Sequence, residues 1–89
     1  MTSTVLWKFE NKQNLFGPRG IAVDKDGYIY VAGEQSENVV VISPTAIESR
    51  QFLGRDDGLR RPRALNYDSG KHRLIVCNER KHLFVFDIK

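Results

Sequence analysis

The sequence predicts an all-β chain of repeated antiparallel blades, and three observations lead there. Residues 15–24 read against residues 59–68, placing Pro18 and Pro62 44 positions apart (62 − 18). Each repeat holds short apolar runs divided by turn residues, and no segment shows capped helical periodicity. Val39-Val40-Val41-Ile42 and Leu83-Phe84-Val85-Phe86 are apolar throughout, whereas a strand with one wet face would alternate. Such runs imply sheets stacked face to face. A period of about 40–45 residues with several strands is that of one propeller blade. The expected fold is two four-stranded antiparallel blades of a partial β-propeller.

The elements follow in order. Residues 20–24 and 28–32 form two strands around the Asp26-Gly27 turn. Residues 39–43 form a third, and the less apolar residues 48–53 an outermost fourth. The second repeat supplies strands at 63–67, 73–77 and 82–87. Residues 4–9 precede the first Pro-Arg as 48–53 precede the second, so they read as the outer strand of a preceding blade. Residues 15–53 are then one full blade and 59–89 a second lacking its outer strand. All of residues 1–89 make one partial propeller.

Composition sets bounds on function. Of 89 residues, 40% are hydrophobic and 28% charged, a globular balance. Cys77 is the lone cysteine, which suits a reducing compartment. Met1-Thr2-Ser3-Thr4 lacks the features of a signal peptide, and no apolar run is long enough for a membrane helix. A cytoplasmic setting without membrane contact is expected. The net charge of +3 permits an acidic partner without requiring one.

Pro18-x-Gly20-Ile21-Ala22-Val23-Asp24-x-Asp26-Gly27-x-Ile29-Tyr30-Val31-Ala32 resembles the NHL repeat. The second copy departs from it, with Ala64 for the glycine, Asn66 for a small apolar residue, and Lys71-His72-Arg73 after Ser69-Gly70. The likeness covers nearly the whole chain. It implies a protein-binding scaffold like the C-terminal NHL domain of tripartite-motif proteins, the substrate-recognition part of a ubiquitin ligase. RING and B-box domains carry the chemistry in those ligases. Some NHL propellers bind RNA on one face, and a peptidyl-amidating lyase is built on the same repeat. RNA binding and a fragment of a propeller enzyme are therefore the alternatives. The family closes rings of about six blades, so two blades imply missing blades or self-association. Ile29, Val31, Val41, Leu74, Val76 and Val85 are expected to face a missing neighbour.

His72 and His82 lack Cys or carboxylate partners at zinc-ligand spacing, so no metal or other cofactor is expected. Cys77 reads as a small buried thiol. Asp24 and Asp68 recur at strand ends, where aspartate initiates turns, although amidating-lyase relatives hold metals near their central channel. No nucleophile elbow, phosphate loop or paired-carboxylate motif is present, and the chain is not expected to be an enzyme.

The feature that rises above background is basic. The loop entering each blade and the loop between its second and third strands emerge on one face of a propeller. Those loops hold Lys12, Arg19, Arg55, Arg60, Arg61, Arg63, Arg80 and Lys81, with Glu34, Glu37, Asp56, Asp57 and Glu79 diluting the field. Arg19, Arg55, Arg60, Arg61, Arg63, Arg80 and Lys81 are the candidate binding residues. The alternatives are a solvated mixed-charge rim, a patch for an acidic peptide or substrate protein, and a patch for RNA. Phe16 is the one aromatic on these loops, which keeps RNA secondary.

Overall fold

The computed structural model describes residues 15–80 and 82–88. Strands β1 (Pro18–Val23), β2 (Ile29–Gly33), β3 (Asn38–Ile42) and β4 (Ser49–Leu53) form one antiparallel sheet. Strands β5 (Pro62–Asp68), β6 (Arg73–Asn78) and β7 (Leu83–Asp87) form another. The class is all-β, with sheets of propeller-blade order in which each strand pairs with its sequence neighbour. The second sheet has three strands among the described residues. The strand expected at 4–9 lies outside the described residues, as do Lys12 and Lys81. No described helix is long and apolar enough to cross a membrane.

Side-chain chemistry fixes the turns. Asp24 Oδ1 accepts the amide N–H groups of Asp26 and Tyr28 at 2.9 and 3.0 Å, and Gly27 takes φ +86°, which favours glycine. Asp24 Oδ2 accepts the buried Tyr30 hydroxyl at 2.9 Å. Burial first, and this hydrogen bond second, push the Tyr30 phenol well above its usual value, so it stays a neutral donor. Asp68 repeats the turn role by accepting from Gly70 at 3.0 Å. Both aspartates thus carry the turn chemistry their positions predict.

The core lies between the sheets. Tyr30 and Ala32 of β2 and Val39 and Val41 of β3 face Leu74 and Val76 of β6, with Leu59 plugging the junction. Ala22, Leu65 and Phe86 pack at its margin. Each fully buried leucine or valine contributes about 1.5–3 kcal/mol relative to exposure. Strand β5 stacks on β1 and β2. It comes so close to Gly20 that a Cβ there would lie 2.9 Å from the Arg63 carbonyl oxygen and 3.0 Å from Ala64 Cα. The glycine of the repeat therefore sets the spacing of the blades.

Several burial expectations need correction. Val41, Leu74 and Val76 are buried in this core and face no missing neighbour. Strand β3 is buried on both faces, but β7 alternates, with Leu83 66% and Val85 57% exposed. Cys77 is half-buried, because it shares the open face of the second sheet with Ala64 and Leu83. The repeat explains that face. Ala64, Ile75, Cys77, Leu83 and Val85 occupy the positions of Gly20, Tyr30, Ala32, Val39 and Val41, which the second blade covers. Nothing among the described residues stacks on them in the same way. Ile21 and Val23, at 65% and 54% exposed, mark a second open apolar strip on the first blade.

Candidate functional site

A β-bulge recurs at the entry to each blade. Pro18 pairs with Gly33 and Gly20 with Ala32, leaving Arg19 as the extra residue. Pro62 pairs with Asn78 and Ala64 with Cys77, leaving Arg63. Bulges re-aim side chains, and both arginines reach the loop face. Arg63 donates to Glu34 of the preceding blade and lies 3.6 Å from Glu79 of its own. Arg19 lies 3.6 Å from Glu34, its own blade's counterpart of Glu79.

Arg61 completes the network. Its guanidinium lies 3.0 Å from Glu79 and 3.7 Å from Glu34, and its amide donates to Glu37 Oε2 at 3.1 Å. These contacts hold it at φ +49°, a region L-residues avoid. Glu37 Oε1 accepts from Arg55 Nε at 2.6 Å. The Glu34 side chain is only 8% exposed. Its hydrogen bond to Arg63 outweighs desolvation and, with the charges of Arg63, Arg19 and Arg61, holds the carboxyl below the usual glutamate range.

These pairs divide the predicted basic patch. Arg19, Arg55, Arg61 and Arg63 are engaged with Glu34, Glu37 and Glu79. Arg60 bonds only to the Arg55 and Leu59 carbonyls, and Arg80 has no ion pair, among the described residues. Both line a cleft of about 440 Å³ with Glu37, Gly58, Arg61, Asn78, Glu79, His82 and Phe84. That volume is in the range of ligand sites, about 300–1,000 Å³. Asn78 is 5% exposed, and its Nδ2 donates to the Gly58 carbonyl at 3.2 Å. Its Oδ1 is buried without a partner among the described residues, a state that costs about 1–3 kcal/mol. Asn78, His82 and Phe84 were not singled out from sequence as binding residues. His82 and Phe84 fall in the strand expected at 82–87 and Asn78 just past the one expected at 73–77, and the β6–β7 register brings them together beside Arg60.

The opposite face holds a cluster that sequence spacing does not reveal. Ligand atoms of Asp24, Asp26 and His72 lie within 4.8 Å of one another. Asp24 already accepts two amide N–H groups and the Tyr30 hydroxyl, while His72 Nδ1 lies 2.6 Å from the Tyr67 hydroxyl. These bonds explain the cluster as two turns meeting between the blades.

Residues 17–34 match a family model described as a beta-propeller repeat. The chain is 30% identical over 87 residues to the E3 ubiquitin-protein ligase TRIM56 of Mus musculus, an alignment covering 96% of this chain and 12% of that protein. With the 44-residue repeat and the two stacked antiparallel sheets, these likenesses mark the chain as β-propeller-like and similar to the tripartite-motif proteins, of whose matched relative it spans about an eighth.

Proposed function

We propose that this chain binds a protein partner through its loop face, as the substrate-recognition part of a tripartite-motif-like ubiquitin ligase, and that it is not itself a catalyst. One observation carries the reading: Arg60 and Arg80 flank a cleft whose acidic residues are already engaged by other arginines. A scaffold that uses most of its loop-face arginines in ion pairs still presents, among the described residues, two cations without an ion pair beside a concave surface. Asp24 and Asp68, the repeated carboxylates, are tied to turn N–H groups and do not stand ready as acid or base.

A random peptide library selected on the full chain tests the binding claim. Enrichment of defined sequences, lost when loop-face residues are substituted, supports it. Selection that returns only background, or sequences indifferent to those substitutions, contradicts it. The ligase setting is tested separately by sequencing the transcript upstream of Met1. RING or B-box zinc spacings there support that setting, and their absence contradicts it.

A further inference from the structure

Resting on that scaffold reading, the geometry points to a more specific ligand: the cleft beneath Arg60 and Arg80 takes an extended acidic peptide segment. Charge decides its sign. Glu37 is held by Arg55 and by the Arg61 amide, and Glu79 by Arg61 and Arg63, so the acids at the cleft are already compensated. Arg60 and Arg80 are exposed and make no ion pair among the described residues, leaving two guanidinium groups to recognise carboxylates. Phe84 supplies an apolar wall, which suits a side chain set between the acids.

The same features disfavour a nucleic acid. Phe84 and His82 are the rings lining the cleft, and Phe84 is half-buried and stacked on Phe86 at 6.2 Å, so the exposed His82 alone offers a base an open face. Glu37 and Glu79, each paired with its own arginines, interrupt the cleft lining, so it offers no unbroken basic track to a run of phosphates, whereas a peptide can space its carboxylates to match Arg60 and Arg80.

Fluorescence anisotropy with the full chain tests this. The probe is fluorescein-labelled Gly-Asp-Glu-Leu-Asp-Glu-Gly, with Gly-Asn-Gln-Leu-Asn-Gln-Gly as the neutral control and oligouridylate as competitor. The acidic probe should bind at least about tenfold more tightly than the control. Arg60→Glu with Arg80→Glu should remove that preference while the thermal melt stays unchanged, and Arg60→Gln with Arg80→Gln serves if the reversed pair does not fold. Equal binding of the two peptides, or a preference that survives both variants, overturns the assignment. Displacement of the acidic probe by oligouridylate at lower concentration than by unlabelled peptide also overturns it, in favour of a nucleic acid. Library peptides that bind the loop face without acidic residues would leave the scaffold reading standing and remove this inference alone.

Discussion

Arg63 on the bulge of β5 donates to Glu34 in the β2–β3 turn of the preceding blade, and also reaches Glu79 of its own blade at 3.6 Å. Arg19 stands to Glu34 as Arg63 stands to Glu79. The repeat thus carries an arginine that can bind two successive blades, and a glutamate that can receive two successive arginines. In the second blade Glu79 receives Arg61 and Arg63.

This relationship has a pH signature. The Glu34 carboxyl is lowered on folding, chiefly by Arg63. A lowered carboxyl stabilises the native state in full above its unfolded value, about 4.3, and the contribution is lost as pH falls through the lower folded value. Thermal melts should therefore show a drop in Tm below about pH 4.3 that is shallower in Glu34→Gln. A variant that melts with the same acid dependence as the parent would show that Glu34 does not carry it.

Blade spacing is tested at Gly20. A methyl group there meets β5 backbone atoms that cannot rotate aside, so Gly20→Ala should destabilise by about 1–3 kcal/mol. Gly70→Ala, whose Cβ would meet only Asp68 Oδ1 at 3.4 Å, should change stability by less than about 0.5 kcal/mol. Urea unfolding midpoints compare the two, and equal losses would contradict the close-approach account.

The inter-blade core is tested at Leu59, which is fully buried. Leu59→Ala should cost about 2–5 kcal/mol. The same truncation at Leu83, 66% exposed, should be nearly silent in dilute solution. A small effect at Leu59 would mean that the blades do not stack as described.

The open face of the second blade predicts association. Ile75, Cys77, Leu83 and Val85 repeat positions that are covered in the first blade, and apolar patches of this kind invite partners. Light scattering should show mass rising with concentration, reduced by Leu83→Lys with Val85→Lys. A soluble monomer at every concentration, with a cooperative melt, would contradict this.

Much of the architecture was legible in the sequence because the repeat samples it twice. The Pro-Arg entry, the Asp-Gly and Ser-Gly turns and the apolar runs place seven strands to within a few residues. Which face of each strand is covered was less legible. Leu83–Asp87 and Asn38–Ile42 have similar apolar sequences, yet only the latter has a described strand, β4, on its outer edge and apolar neighbours on both faces. In the sequence the basic face is only a set of charges on loops. Its division into locked and uncommitted arginines depends on a bulge at Arg19 and Arg63 and a left-handed residue at Arg61, which composition does not encode.

The central claim is that the loop face between the two blades binds a protein segment. Amide chemical-shift mapping of the isotope-labelled full chain, titrated with a library-selected peptide, tests it most directly. The predicted result is a contiguous set of shifts at residues 58–61, 78–80 and 82–84, around Arg60, Arg80 and Phe84. Shifts confined to the opposite face, around Asp24, Glu48 and His72, would contradict it.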